Sequence, residues 1–134
     1  VARFLEARGA KSTLVRGSVL ELPYPDQRFE LLVCFSVIEH LREYRQALKE
    51  MTRVLGSTGR LLLGMPAVNR GMELAFRAIG FKGIEDHHVT TPAEVERAFP
   101  DAGLAIEQTA PLDLPRARPL GLRLYHNWLL RKRG

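Results

Sequence analysis

The chain has 134 residues, 46% of them hydrophobic and 26% charged, with a formal net charge of +5. That is the composition and length of one globular domain. No apolar run approaches the roughly 20 residues that cross a bilayer, no signal-peptide pattern opens the sequence, and the single cysteine, Cys34, excludes an internal disulfide and fits a reducing cytoplasm.

Residues 1–8 read as a helix, with Val1, Leu5 and Arg8 at helical spacing and Gly9 as its stop. A chain that opens inside a helix suggests an architecture entered part-way. Ser12 to Arg16 reads as a short β-branched strand halted by Gly17. The acidic turn Glu21-Leu22-Pro23-Tyr24-Pro25-Asp26 follows, and neither proline suits a central strand. Phe29-Glu30-Leu31-Leu32-Val33-Cys34-Phe35 is nearly all apolar, which predicts a central strand covered on both faces of a parallel sheet.

Leu41, Tyr44, Leu48, Met51 and Leu55 recur at three- and four-residue steps opposite a charged face, which predicts a helix capped by Gly56. Arg60 to Met65 is a second buried strand, stopped by Pro66. A weaker helical pattern runs from about Gly71 to Ile79. Thr91-Pro92-Ala93-Glu94 is a capping box with proline at the first helical position. Leu104 to Thr109 is a further strand, 110–118 a loop, and the tail from Pro119 to Arg133 is a helix or a last strand, with Leu120, Leu124 and Trp128 at helical spacing.

Strand, helix, strand, helix, strand with near-continuous apolar strands defines an α/β fold: a three-layer sandwich around a mainly parallel, Rossmann-like sheet. Ligands of such sheets bind outside the carboxyl ends of the strands. Phe35-Ser36 is such an end, and Glu39-His40 follow it on the way into the next helix. Residues 1–134 form one domain, with 1–110 as core and 111–134 as a basic tail.

The ordered set Gly17-Ser18-Val19-Leu20-Glu21-Leu22-Pro23-Tyr24-Pro25-Asp26, Phe29-Glu30, Ser36-Val37-Ile38-Glu39-His40-Leu41, Leu55-Gly56, Gly59 to Leu63, His88 to Thr91 and Ala102-Gly103-Leu104 resembles the class I S-adenosylmethionine-dependent methyltransferases of small-molecule type. The resemblance implies S-adenosylmethionine as cofactor and a small molecule as methyl acceptor. It places Gly17, Ser18 and Val19 against the adenine and passes Cys34, Phe35 and Ser36 under the cofactor. Glu39 and His40 come near the methyl-transfer region, as candidate catalytic residues. The family's glycine-rich loop and the acidic strand end that grips the ribose have no counterpart here, so the expected fold is an N-terminally truncated form of the seven-stranded one.

Each candidate has a structural alternative. His40 can flank a helix, with Glu39 favourable beside the amino end, instead of moving a proton. Asp86-His87-His88 matches no zinc spacing; His87 and His88 line an acceptor pocket or form a surface turn, and no metal is expected. Cys34 reads as a small hydrophobe. Arg116, Arg118, Arg123, Arg131, Lys132 and Arg133 crowd the last nineteen positions, which hold no Asp or Glu. Such an end is a solvated tail, or attracts an anionic surface; no recognition helix or aromatic platform supports a nucleic-acid partner. The rival to the enzyme is a non-catalytic binding or assembly module, which has lost the glycine loop and uses an exposed sheet edge to form a homodimer or hold a partner chain.

Overall fold

Phe29–Phe35 (β1) and Leu55–Pro66 (β2) pair in parallel, with Cys34 opposite Leu63 and Phe35 opposite Gly64. This pair anchors a computed structural model that describes residues 7–9, 11–67, 89–113 and 123–133. Between the two strands the chain makes a single 3-10 turn, Ile38–His40, and the helix Tyr44–Val54 (α1). After β2 come Pro92–Ala98 (α2), a second 3-10 turn at Pro100–Ala102, Leu104–Thr109 (β3), Leu112–Asp113 (β4) and Arg123–Lys132 (β5).

The strand order is β1-β2-β5-β3, with β4 also on β5. β5 runs antiparallel to β2, to β3 and to β4, so β1, β2, β3 and β4 share one direction and β5 alone opposes them. The sheet is therefore mixed in its pairing but mainly parallel in its strand directions. The α/β, Rossmann-like expectation holds.

One core lies on one face of this sheet. Cys34, Leu63 and Trp128 stand in a row across β1, β2 and β5. They meet Ala47, Leu48 and Met51 of α1 and Val95 and Ala98 of α2 in one buried cluster. Trp128 and Phe99 are each 1% exposed and meet edge to face, with centroids 5.6 Å apart. Burying side chains of this size contributes about 1.5–3 kcal/mol each, and the aromatic pair about 0.5–1.5 kcal/mol more. The indole N–H donates to Glu96 Oε2 at 3.0 Å, which fixes α2 over β5.

The local signals at α2 operate as the sequence predicts. Thr91 Oγ1 accepts from the Glu94 N–H, and the Glu94 carboxylate accepts from the Thr91 N–H at 2.9 Å, closing the capping box. The Thr91 hydroxyl, which donates to Glu94 Oε2 at 2.7 Å, and then the Thr91 N–H hold the Glu94 carboxyl below the usual range.

Three expectations give way, and one open reading is decided. Residues 12–16 form no strand: they pair in no ladder, and Leu14 and Val15 are 67% and 52% exposed. A strand needs a neighbour, and the described residues supply none at that position. Gly56 is not the cap of α1, because Leu55 is already extended there and begins β2. The tail, read as a helix or a last strand, is the strand β5 over Arg123–Lys132, where pairing on both sides outweighs the helical spacing of Leu124 and Trp128. Finally, β1 is not covered on both faces. Leu31, Val33 and Phe35 are 58%, 54% and 43% exposed, and β1 pairs only with β2 among the described residues. The helical readings at 1–8 and 71–79 lie largely or wholly outside the described residues.

The proline turn is held to α1 by Arg53. Its guanidinium donates to the carbonyls of Leu22 and Tyr24, to Asp26 Oδ1 at 2.8 Å and to both oxygens of Glu50. Glu50 also accepts from the Leu22 N–H at 3.0 Å. The Arg53 hydrogen bond first, then the Leu22 N–H, pull the Glu50 carboxyl down from 4.5 to about 2. A carboxyl whose value is lowered by folding stabilises the fold above its unfolded value and loses that contribution as pH falls. Glu50→Gln is therefore expected to lower the urea midpoint at neutral pH. The difference from wild type should shrink between about pH 4.5 and pH 2, which a pH series of urea unfolding curves checks.

Candidate functional site

The parallel ladder delivers the ends of β1 and β2 side by side. The Ser36 N–H adds one more rung, donating to the Gly64 carbonyl at 3.0 Å. The chain then turns sharply, and Ser36 sits at φ 52°, the left-handed region that non-glycine residues rarely adopt. Such strain persists only where the surroundings enforce it, and it gathers at functional sites.

What enforces it here is visible. Ser36 Oγ lies 2.8 Å from the Tyr125 hydroxyl, so β1 is tied to β5 across β2. The Tyr125 side chain can reach because Gly64 lies between: a Cβ on Gly64 would stand 2.7 Å from Tyr125 Cε1 and 2.2 Å from Phe35 Cδ1. The rings of Phe35 and Tyr125 are 6.2 Å apart and tilted by 42°. The result is a corner with a partly open aromatic ring, two hydroxyls and a strained backbone, at the carboxyl ends of two parallel strands. In α/β sheets that is where ligands bind.

Three residues on, Glu39 is 1% exposed in the 3-10 turn. Neither carboxylate oxygen has a hydrogen-bond partner among the described residues. His40 Nε2 is 3.9 Å from Oε1, within ion-pair range but too far for a hydrogen bond. The Glu39 carbonyl accepts from the Val89 N–H at 2.8 Å, and Thr90 Oγ1 donates to the Leu41 carbonyl at 2.8 Å. The segment entering α2 is thus pinned to the turn that carries Glu39 and His40. A buried carboxylate lacking donors is costly in a fold and calls for a functional explanation.

Cys34 belongs to the core. Burial first, and the Glu39 charge second, push its thiol up to about 11, which suits a packed hydrophobe and not a nucleophile. His126, which sequence reasoning did not single out, stacks on Trp128 with centroids 5.4 Å apart. Burial, then Arg123, lowers its value, which favours the neutral imidazole.

The other nominated residues are placed as follows. Gly17 packs beneath Pro23, where a Cβ would stand 3.0 Å from Cδ. Ser18 Oγ accepts from the Leu20 N–H at 3.2 Å within its own turn, and Val19 packs on the core. These three share no hydrogen bond with the Ser36 corner. His87 and His88 lie outside the described residues. In the basic tail, Arg123 pairs with Asp113 at 3.3 Å.

Sequence reasoning missed Tyr125 and Gly64. Gly64 had a legible signal, since it interrupts an apolar strand at the level where β1 ends. Tyr125 had none, because its strand was not resolved from a helix.

Comparison with known proteins identifies the architecture. Residues 1–63 match the family described as "Methyltransferase domain". A demethylmenaquinone methyltransferase of Deinococcus radiodurans is 43% identical over 58 residues, 41% of this chain and 24% of that protein. An uncharacterized methyltransferase of Bacillus subtilis, YcgJ, is 33% identical over 61 residues, 45% of this chain and 24% of its own. The matched segments thus span about a quarter of the length of these curated relatives.

In fold, the chain is similar to the PH0226 protein of Pyrococcus horikoshii, with TM-score 0.72 at 15% identity over 98% of this chain and 64% of that one. It is also similar to a magnesium protoporphyrin IX methyltransferase of Synechocystis, solved with bound SAH (S-adenosylhomocysteine). There the TM-score is 0.68 at 16% identity, over 99% of this chain and 56% of that one. The chain resembles the class I S-adenosylmethionine-dependent methyltransferases, in sequence over its first 63 residues and in fold along nearly its whole length.

Gly64→Ala tests the corner. Crowding by a Cβ in packed surroundings costs roughly 1–3 kcal/mol, and Phe35, 43% exposed, can turn away to relieve part of it. A loss near 1 kcal/mol in urea unfolding is expected, with broadening of the Tyr125 ring signals in NMR spectra.

Proposed function

We propose that this chain takes part in methyl transfer from S-adenosylmethionine to a small molecule, with the carboxyl ends of β1 and β2 as the reacting edge. The observation that carries the reading is the strained Ser36, held against Gly64 and Tyr125, on a fold shared with methyltransferases. The Glu39 carboxylate, which has no hydrogen-bond partner among the described residues, supports the fit of the cofactor, since the cofactor brings a cationic ammonium donor. When bound, the cofactor supplies a methyl group already activated on sulfur.

In this reading Gly17, Ser18 and Val19 face the adenine, and the backbone of Cys34, Phe35 and Ser36 runs beneath the cofactor. Phe35 and Tyr125 wall the edge with aromatic surface and keep water from it. Glu39 and His40 stand on the acceptor side, with His87 and His88 in the segment that borders it. His40 has a side chain that is 46% exposed, so it can exchange a proton with an incoming acceptor. Positioning does most of the work: holding two reactants in line converts a bimolecular step into an effectively unimolecular one. A cytoplasmic setting belongs to the same proposal and rests on the reduced Cys34.

Calorimetric titration with S-adenosylhomocysteine tests the reading. A dissociation constant of about 1–100 micromolar is expected, weakened by Phe35→Ala; no heat at millimolar ligand would overturn it.

Glu39→Met gives a second readout. Replacing a buried carboxyl that has no hydrogen-bond partner among the described residues by an apolar side chain removes a desolvation cost of about 1–3 kcal/mol. The unfolding midpoint should therefore rise while binding of the cofactor product falls. A variant that is stabilised and binds as well as wild type would remove Glu39 from the site.

A further inference from the structure

We propose that Arg53, together with Glu50, is a positioning residue for the cofactor, acting through the proline turn that sets Gly17, Ser18 and Val19. That role rests on the reading above, in which these three residues face the adenine. The segment from Gly17 to Gln27 has little of its own to hold its shape. Pro23 and Pro25 carry no N–H. Among the described residues its ladder pairing is the single bridge of Ser18 with Glu21, where the Glu21 N–H donates to the Ser18 carbonyl at 3.2 Å. Gln27, at the end of the turn, sits at φ 56°, in the left-handed region. A backbone of this kind needs donors from elsewhere.

The last turn of α1 supplies them. Glu50 and Arg53 are three residues apart and share one helix face. A guanidinium offers five N–H donors in a planar fork, and here all five are engaged. Nε and Nη2 meet the two Glu50 oxygens at 2.9 and 2.8 Å. Nη1 donates to the Tyr24 carbonyl at 2.9 Å and to Asp26 Oδ1 at 2.8 Å, and Nη2 to the Leu22 carbonyl at 3.0 Å. Glu50 accepts from the Leu22 N–H at 3.0 Å, so one ion pair holds both polar groups of Leu22. The Arg53 carbonyl accepts from the Gln27 N–H at 2.9 Å. Side chain and main chain of one residue therefore grip both ends of the turn.

Leu22 passes that grip on to the residues before it. On one side of it stands Glu21, bridged to Ser18. On the other stands Pro23, against which Gly17 packs so closely that a Cβ would lie 3.0 Å from Cδ. A shift of Leu22 moves Gly17 and Ser18 with it, and binding groups tolerate displacements of only about 0.5 Å. Arg53 itself is remote from the candidate site. Phe29, at the start of β1, pairs with Leu55, whereas the site lies at the other end of that strand. Lysine cannot take the place of Arg53: it keeps the charge but presents three donors from a point instead of a planar fork.

Titrations of the full chain with S-adenosylhomocysteine and with its deaminated analogue, S-inosylhomocysteine, test this role. Urea unfolding first establishes that each variant is folded under assay conditions, so that a dissociation constant reports the folded chain and not its stability. Wild type should prefer the adenine ligand. Arg53→Lys should weaken that ligand about tenfold, the scale of one lost charge-assisted hydrogen bond, and bring the two ligands closer in affinity. Arg45→Lys makes the same change elsewhere on α1, at the pair with Asp101, and should alter neither value. If Arg53→Lys does not fold, Glu50→Gln carries the test. It removes one of the two oxygens that the fork meets and should shift both readouts the same way by less. Equal weakening of both ligands, or none, overturns the proposal and leaves the cofactor reading standing. A wild type that binds neither ligand overturns both. One that binds the two equally removes residues 17–19 from the base, and the proposal with them.

Discussion

The parallel pairing of β1 with β2 is the constraint on which the rest depends. It sets Phe35 level with Gly64 and brings both strands to an end on the same side of the sheet. It also sends the Ser36 N–H to the Gly64 carbonyl instead of to solvent. Slip the register by one residue and every β1 side chain changes face: Cys34 would leave the core and Phe35 would enter it. The register is held by that core, in which Cys34, Leu63 and Trp128 lie in one row beneath α1 and α2.

From that pairing the site follows with little added. Tyr125 enters from β5, which runs the other way, so the beginning of β5 stands beside the end of β2. A small residue at Gly64 lets the phenol cross to Ser36. Glu39 is buried one short turn later, fixed through its carbonyl by Val89. The helical face of the sheet is a finished core, while the other face of β1 is not. The core and the candidate site are therefore separated in space, with packing beneath the helices and the Ser36 corner at the strand ends.

Much of this was legible in the residues. The apolar run at 29–35, the amphipathic period after it and the capping box at Thr91 each state a local rule that the fold obeys. The proposed place of the site was read from the same pattern, because a parallel sheet confines ligands to one set of strand ends. What was not legible depends on neighbours. Residues 12–16 carry strand chemistry but find no strand partner among the described residues, and β1 carries the composition of a doubly covered strand while Leu31, Val33 and Phe35 stand about half exposed. Whether β5 was a helix or a strand turned on pairing with β2 and β3, which no local window reveals. Tyr125 was hidden for the same reason, since its importance comes from lying across the sheet from a serine 89 positions away.

The joint role of the strand ends is tested most directly by amide-resolved NMR during titration with S-adenosylhomocysteine. Saturable shifts gathered at residues 17–19, 34–36 and Gly64 are expected, with β3 unmoved. Shifts confined to the cleft between α2 and β3, lined by Arg97, Phe99 and Ile106, or none at saturating ligand, would contradict a cofactor site at the carboxyl ends of β1 and β2.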